Sequence, residues 1–194
     1  MQISKEAIDV IFNNARTYTG WLDKPISDSL LEQIYHLMKI GPTSMNCCPA
    51  RIVFVKSSEA KERLKSCLDP FNIEKTMMAP VAAIIAYDLK FYEKMDVLWP
   101  HSDAMSIFKG KDQLIQETCL RNSSLQGAYF IMAARSLGLD CGPMSGFNSE
   151  KLDKEFFPEG EIKSNFLCNI GYGDPSFLYP RGPRLDFNEA AKIL

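Results

Sequence analysis

The chain has 194 residues, of which 46% are hydrophobic and 24% charged, and its formal net charge is -2 at pH 7. These values favour a single globular domain, residues 1–194, with a core large enough to need no disulfide or metal for stability. Because acidic and basic residues are interleaved and nearly balanced, the sequence argues against a nucleic-acid-binding protein. No apolar run approaches the roughly 20 residues of a membrane helix, and the N-terminus lacks a signal-peptide pattern, so we expect a cytoplasmic protein without a membrane partner.

Several common catalytic signatures are missing. The six cysteines form no C-x-x-C pair and the two histidines lie far apart, so we expect reduced, buried thiols and no metal site. Gly171 and Gly173 are not followed by the third glycine of a dinucleotide-binding fold, and Pro143 stands where a serine-hydrolase motif around Ser145 needs glycine. The sequence therefore offers no side chain as a catalytic acid, base or nucleophile.

The N-terminal half contains two predicted helices. Apolar residues at helical spacing predict a first helix from the cap Ser4 to about Ala15, and a second from the cap Ser27 to Met38. Glycine and proline mark the segment 16–25 between them as a loop. Gly41 and the proline after it stop the second helix.

Strand patterns appear at about 51–56, 81–87 and 165–170. The unbroken apolar run at 81–87 predicts a central strand covered on both faces. A short helix capped by Ser58 should lie between the first two strands and be broken at Asp69-Pro70. Because the strands are few and irregularly spaced, we predict an α+β fold rather than a doubly wound parallel sheet.

The C-terminal half is dominated by one long helical pattern, from about Asp112 to Leu137. Its second half is apolar on nearly every side, which predicts burial either within one subunit or against a partner subunit. Residues 88–111 have the mixed aromatic, proline and glycine pattern of a lid. A further helix is expected at 149–156, and the extension at about 174–194 has too few apolar residues to form a core of its own.

The polar turn between the second helix and the first strand is the most informative segment. It contains Pro42, Thr43, Ser44 and Asn46, set between two elements that belong in a core. Buried polar groups need partners, so either the turn satisfies itself through Asx or Ser/Thr bonds, or it binds a planar polar ligand.

Other fragments also suggest ligand binding. Arg16, Arg181 and Arg184 lie in loops, where they either face solvent or together bind a phosphate group. The Asn72/Lys75 pair and the turn from Pro143 to Gly146 can supply amide, ammonium and backbone donors to a flat heteroaromatic ring. A redox cofactor would explain the absence of an evident nucleophile, because the cofactor performs the chemistry.

These segments, in this order, resemble the FMN-dependent nitroreductase family, and within it the malonic semialdehyde reductase (3-hydroxypropanoate dehydrogenase) branch. The resemblance covers almost the whole chain. It rests on the segments at 15–17, 20–25, 41–47, 179–181 and 183–187. It implies a nitroreductase-like α+β fold with a central mixed or antiparallel sheet flanked by helices. It also implies an intertwined homodimer, with the C-terminal tail exchanged over the partner.

The resemblance also implies cofactor-binding residues. Arg16, Thr17 and Thr19 match the N-terminal motif that holds the FMN phosphate and ring edge, and Arg181 and Arg184 match the late basic pair at the phosphate. Two further motifs of the family contact the flavin ring, and they match the pair Asn72 and Lys75 and the turn Pro143, Met144, Ser145 and Gly146. A third motif reaches the flavin across the dimer interface, and it matches the turn Pro42, Thr43, Ser44 and Asn46.

Three departures from the family pattern concern the ring and the substrate. The usual basic residue of the first motif is replaced by Thr19 or Gly20. A common tryptophan after the proline of the second motif is Ala50, and a common acidic residue of the fourth is Ser145. The first change bears on the flavin potential, and the other two alter the wall against which a substrate stacks.

The activity implied by the resemblance is hydride transfer from NAD(P)H through FMN to a small oxidised substrate, with malonic semialdehyde as the first candidate. A general nitroaromatic or quinone reductase is the alternative within the same class. A flavin-binding or sensing protein without turnover is the alternative from another class.

Overall fold

Four strands form the central sheet of the protein, whose computed structural model describes residues 2–194. The strand order is β1-β2-β4-β3, and every neighbouring pair is antiparallel. The predicted α+β class is therefore confirmed, and the sheet is antiparallel rather than mixed. The strands are β1 (Ala50–Val55), β2 (Val81–Asp88), β3 (Asp140–Met144) and β4 (Ile162–Gly171).

Nine α-helices and shorter helical turns surround the sheet in the described residues. The α-helices are α1 (Lys5–Ile8), α2 (Asp28–Met38), α3 (Ser58–Lys65), α4 (Pro70–Met78), α5 (Met95–Leu98), α6 (Met105–Phe108), α7 (Asp112–Ser136), α8 (Ser149–Phe156) and α9 (Phe187–Ala190). A π-helical turn (Asp9–Asn13) continues α1, and 3-10 turns lie at Ser44–Asn46, Phe91–Lys94 and Pro175–Phe177.

Both faces of β2 are buried, as its apolar run predicts. Val81, Ala83 and Ile85 pack with residues of α2 and α7 on one face. Their neighbours, exemplified by Ile84, pack on the other face with Leu64 of α3 and other residues from α8 and β4. Side chains on a strand alternate between faces, so a strand buried on both faces reads as continuously apolar. The sheet thus has a core layer on each side.

The main correction concerns α4. Asp69-Pro70 does not simply end α3, because Pro70 occupies the first turn of a new helix that extends to Met78. Proline suits that position since its fixed φ is helical and the first N–H groups of a helix have no internal partner. The missed helix matters because it presents Asn72 and Lys75.

Smaller differences concern the ends of elements. Ser57, rather than Ser58, caps α3 by accepting from the Ala60 N–H at 3.2 Å. The first helix departs from α geometry, with its π turn ending at Asn13. Strand β4 begins three residues earlier than its apolar pattern suggests, at Ile162.

Helix α7 lies close to the sheet and matches its predicted range. Gly127 permits the approach, because a Cβ there would lie 2.5 Å from the Phe166 ring of β4. Phe130 is buried in the core, but Leu125 and Tyr129 on the outer face are 46% and 38% exposed. Within one chain the second half of α7 is therefore not buried all round.

The segment between β2 and α7 is folded into short helices over its own apolar cluster, which includes Phe91, Met95 and Phe108. In contrast, almost all of the tail beyond Tyr179 is exposed. None of the helices in residues 2–194 combines the length and apolar character required to cross a bilayer. The six cysteines are free thiols, and all except Cys48 are buried.

Candidate functional site

Four arginines line one cleft of about 400 Å³, called here the arginine cleft. It lies where the end of the N-terminal helical segment, the last turn of α7 and the C-terminal tail meet. Arg16, Arg181 and Arg184, which the sequence suggested as a phosphate group, come together here, and Arg135 joins them. Thr17 lines the same cleft, and its backbone pairs with Cys141 of the edge strand β3.

The three predicted arginines donate to neutral backbone carbonyls. Arg16 Nη2 donates to the Tyr179 carbonyl. Arg181 Nη2 donates to the carbonyls of Asn13 and Ala15 at 2.7 and 3.0 Å. These bonds tie the tail to the N-terminal segment, although the two are more than 160 residues apart in sequence.

The arginine cleft keeps most of its positive charge, because no described carboxylate forms an ion pair with its arginines and only the charge of Asp140 acts on one of them, Arg135. Arg184 Nη1 donates to the Gly182 and Pro183 carbonyls at 3.0 Å each. None of the four arginines takes part in an ion pair with another described residue. A water-accessible group of such guanidinium ions is suited to an anion with several acceptor oxygens, such as a phosphate monoester. The residues present therefore fit the phosphate end of FMN.

A second cleft, called here the lysine cleft, adjoins the first. Its volume is about 340 Å³, and Lys75 of α4, Thr19 and Phe177 are among its lining residues. Tyr179 lines both clefts. The two clefts thus meet at Tyr179, and the second is lined by one cation, Lys75, and one carboxylate, Glu74.

The backbone of Lys75 is held firmly behind this cleft. Its carbonyl accepts from Trp21 Nε1 at 3.0 Å and from Asn169 Nδ2 at 3.3 Å. Asn169 is buried, and its Oδ1 has no partner among the described residues. The polar Asn169 within the apolar β4 was the sequence signal for this support, and the sequence analysis missed it.

Asn72 and the turn after β3 contact each other, but they are not among the lining residues of the arginine cleft or the lysine cleft. Asn72 is buried, and its Nδ2 donates to the Gly146 carbonyl at 2.7 Å. A Cβ on Gly146 would lie 2.3 Å from that nitrogen, so only glycine fits the contact. The turn begins at the end of β3, where Pro143 and Ser145 are exposed and Met144 accepts from Thr76 Oγ1 at 3.6 Å. Ser145 is therefore free to face a ligand.

The polar turn, residues 42–48, lies elsewhere. It precedes β1, at the opposite edge of the sheet from β3. Its groups bond within the chain: Thr43 Oγ1 accepts from the Cys48 N–H at 3.2 Å, and Asn122 Oδ1 accepts from the Ser44 N–H at 2.8 Å. Asn46 Nδ2 donates to Leu98 of the segment predicted as a lid, at 3.0 Å. One chain does not bring Pro42, Thr43, Ser44 and Asn46 to the two clefts.

This turn is also strained. Met45, Asn46 and Cys48 have φ values of 52°, 52° and 40°. Non-glycine residues with positive φ are uncommon, and such conformations cluster at functional sites. Arg51 supports the turn by donating to the carbonyls of Cys48, Pro49 and Ala50 and by pairing with Asp88 at 2.6 Å.

Electrostatics behind the clefts involve Asp140 at the start of β3. Burial raises the pKa of the Asp140 carboxyl, while a bond from the Gly173 N–H and the charge of Arg135 oppose that rise. The bond from Gly173 to Asp140 Oδ2 is 3.0 Å. Burial also raises the pKa of the nearby Tyr18, and the charge of Asp140 adds to that effect. Asp140 is therefore bonded to the backbone, and its single charge offsets only part of the positive charge of the four arginines.

The protein combines an antiparallel sheet covered on both faces with a cationic cleft at its β3 edge, an arrangement suited to an anionic ligand bound outside the core. The chain belongs to the nitroreductase family, whose model matches residues 3–172. It is 57% identical over 192 residues to a Polynucleobacter asymbioticus protein provisionally named an NADH dehydrogenase/NAD(P)H nitroreductase, with 99% of this chain and 98% of that protein covered.

Two solved structures share the fold. One is a provisionally named nitroreductase from Exiguobacterium sibiricum in complex with FMN, at 18% identity and a TM-score of 0.86, covering 100% of this chain and 99% of that one. The other is a provisionally named NAD(P)H:FMN oxidoreductase from Staphylococcus epidermidis, at 20% identity and a TM-score of 0.88, covering 100% and 98%. The expected nitroreductase-like fold is confirmed.

Proposed function

We propose that the chain is an FMN-dependent NAD(P)H oxidoreductase. The observation that carries the proposal is the arginine cleft, which offers four guanidinium groups that form no ion pair within the described residues, beside a second cleft lined by Lys75. The relative from Polynucleobacter is named for an NAD(P)H activity, and the Exiguobacterium structure holds FMN. The first name agrees with a nicotinamide donor for this chain, and the second agrees with a phosphorylated flavin as its ligand.

In this proposal the side chains bind and orient the cofactor. Arg16, Arg181 and Arg184 bind the phosphate, and Thr17 and Thr19 lie along the path from the phosphate towards the ring. Asn72, Lys75 and the turn from Pro143 to Gly146 contact the ring. Bound FMN would accept hydride from the nicotinamide and pass it to the substrate, and the Lys75 ammonium would stabilise the negative charge that reduction brings.

A visible spectrum of the purified protein tests this function. We expect flavin absorbance at about one chromophore per chain, loss of that absorbance when NADH or NADPH is added without oxygen, and recovery with an electron acceptor. A colourless protein that takes up no added FMN would refute the cofactor. A flavin that neither nucleotide reduces would favour the alternative of a binding or sensing protein.

We further propose a homodimer in which the polar turn of one subunit completes the site of the other. Large apolar side chains remain exposed in the single chain, including Phe71 at 95%, Tyr179 at 78% and Ile193 at 84%. In the described residues β1 pairs only with β2, so its outer edge is open, and a groove of about 560 Å³ lies beside it, between α2 and β1. An open strand edge needs cover, which a partner's exchanged tail would supply.

Mixed dimers test this arrangement. Asn46→Ala would impair the turn and Arg181→Ala the arginine cleft. If the two act across the interface, a dimer with one chain of each kind has one site with both defects and one intact site. Dissociating and reassociating the two variants should therefore restore activity, relative to either variant alone. No restoration in verified mixed dimers, or a monomer that holds FMN, would contradict the proposal.

For the substrate we propose malonic semialdehyde, reduced to 3-hydroxypropanoate, on the strength of the motif resemblance. The competing candidate, a nitroaromatic or quinone acceptor, is favoured by the name of the Polynucleobacter relative. Steady-state kcat/KM values for malonic semialdehyde, propanal and a nitroaromatic separate them. A clear preference for the carboxylated aldehyde over propanal supports the first, and a preference for the nitroaromatic over both supports the second.

A further inference from the structure

A fourth arginine in the arginine cleft has no counterpart among the motifs that the sequence suggested. Arg135 lies in the last turn of α7, one residue before the helix ends, and its side chain lines the cleft with Arg16, Arg181 and Arg184. A cation is favourable at a helix C-terminus, which explains the residue type locally but not its direction into the cleft.

The hydrogen bonds of Arg135 are incomplete. Its Nη1 donates to the Ile11 carbonyl at 3.3 Å, which is long for such a bond. Its Nε is buried and has no partner in residues 2–194. Buried N–H groups are almost always paired, so the unpaired Nε–H of a residue that lines a cleft points to an acceptor still to be bound. The neighbouring Asp140 does not fill this role, because it forms no ion pair with Arg135 and accepts instead from Gly173.

Arg135 also differs from the other three arginines in its support. Arg181 and Arg184 belong to the exposed tail, and Arg16 belongs to the loop after the N-terminal helical segment. Arg135 is carried by the longest helix, next to the buried residues Ala133 and Ala134. A side chain on a packed helix loses less freedom on binding than one on a loop.

We infer that Arg135 is a phosphate-binding residue of the cofactor site, with Nε and one Nη directed at an anionic oxygen. This inference rests on the proposed function. It assigns to the rigid body of the protein the contact that selects FMN over riboflavin, which has the same ring and no phosphate. The tail and loop arginines would then close on an anion that α7 already holds.

The alternative is a structural role, in which Arg135 only fastens the N-terminal segment through Ile11. The two roles differ in what they require of the ligand. A structural defect weakens every flavin, whereas a lost phosphate contact weakens FMN alone. Arg121 offers a matched control, because it is an exposed arginine on the same helix and lies outside the cleft.

The experiment removes the flavin and measures the Kd of the apoprotein for FMN and for riboflavin by fluorescence quenching. For Arg135→Gln we expect the Kd for FMN to rise about 10-fold or more, the Kd for riboflavin to stay within about twofold, and Arg121→Gln to match the wild type. Inorganic phosphate should raise the Tm of the wild-type apoprotein and raise that of Arg135→Gln less.

Equal losses for both flavins, or no loss for FMN, would overturn the inference. If Arg135→Gln does not fold, Arg135→Lys is measured in the same way. It keeps the charge but lacks the planar pair of donors, so a smaller FMN-selective loss is expected and an unselective one would overturn the inference. A wild-type protein that binds FMN no better than riboflavin would instead contradict the proposed phosphate site as a whole.

Discussion

The arginine cleft and the polar turn are both rich in donors, but they use them differently. In the cleft, arginines from segments distant in sequence face solvent and donate hydrogen bonds to backbone carbonyls of the other segment. An anion can replace these neutral carbonyls as the acceptor. In the turn, donors and acceptors are satisfied around a left-handed backbone, some by groups a few residues away and others by Asn122 and Leu98. Within one chain the cleft therefore keeps cations open to a ligand, whereas the turn uses its polar groups to hold its own shape.

The contrast between the arginine cleft and the polar turn would be wrong if substitutions in the cleft affected folding more than flavin binding. Arg16→Ala should raise the Kd for FMN about 10- to 100-fold, because a charged hydrogen bond contributes about 1.5–3 kcal/mol. The Tm of the apoprotein should change little. Flavin titration and thermal denaturation of Arg16→Ala and Arg121→Ala measure both effects, and a large loss of apoprotein stability without a loss of affinity would reverse our assignment.

Gly146→Ala probes the contact between the β3 turn and α4. The new methyl group would lie 2.3 Å from Asn72 Nδ2 and 3.0 Å from Asp69 Oδ2, so one of the elements must move. We expect a loss of about 2 kcal/mol in the free energy of unfolding, together with weaker FMN binding. Gly182→Ala is the control for stability, because its nearest neighbour would be 3.8 Å away. Equal urea midpoints for the two variants would contradict the close contact.

Lys75→Ala tests the lysine cleft without disturbing its backbone, whose carbonyl is bonded to Trp21. Loss of the ammonium should weaken FMN retention and slow flavin reduction by NADH or NADPH about 10-fold, or about 1.4 kcal/mol. Stopped-flow absorbance measures the reduction rate, and Lys75→Arg should retain most of it. Normal flavin content and a normal rate in Lys75→Ala would refute the role.

Substitution of Arg51, which supports the polar turn, should lower the free energy of unfolding. Arg51→Met keeps the aliphatic stem but removes the bonds to Cys48, Pro49, Ala50 and Asp88. We expect a loss of about 1–2 kcal/mol in the free energy of unfolding. The exposed Glu62–Lys65 pair serves as the comparison, and Glu62→Gln should cost less than about 0.5 kcal/mol. Similar denaturation curves for both variants would show that Arg51 does not hold the turn.

The smallest expected effect is a gain in the free energy of unfolding. Cys48 has a φ of 40°, a conformation that asparagine adopts more readily than cysteine does. Cys48→Asn should therefore raise the free energy of unfolding by up to about 1 kcal/mol. Cys48→Ala, which removes the thiol without easing the backbone, should show no such gain, and an equal gain in both would point to the thiol instead of the backbone.

The sequence predicted what depends on periodicity and local chemistry. The apolar run of β2, the caps Ser4 and Ser27 and the length of α7 all follow from side-chain spacing. A joint phosphate site of Arg16, Arg181 and Arg184 was one of two possibilities that the residue types left open, and the family resemblance favoured it, because no local rule joins segments so far apart.

The errors have physical reasons. Pro70 was interpreted only as a helix breaker, although proline both ends and begins helices. Arg135 was missed because an arginine near a helix end usually faces solvent, and its direction depends on how α7 packs against the N-terminal segment. The polar turn does not line either cleft of its own chain, so neither its spacing nor the fold of one subunit fixes its ligand.

The placement of Arg181 and Arg184 has a practical consequence. A premature stop codon or a bulky affinity tag at the C-terminus would leave the sheet and its two core layers intact, yet it would remove or displace half of the arginine cleft. Such a protein would express well and elute colourless. Loss of pigment in a recombinant preparation would then report damage to the chain end, not misfolding of the domain.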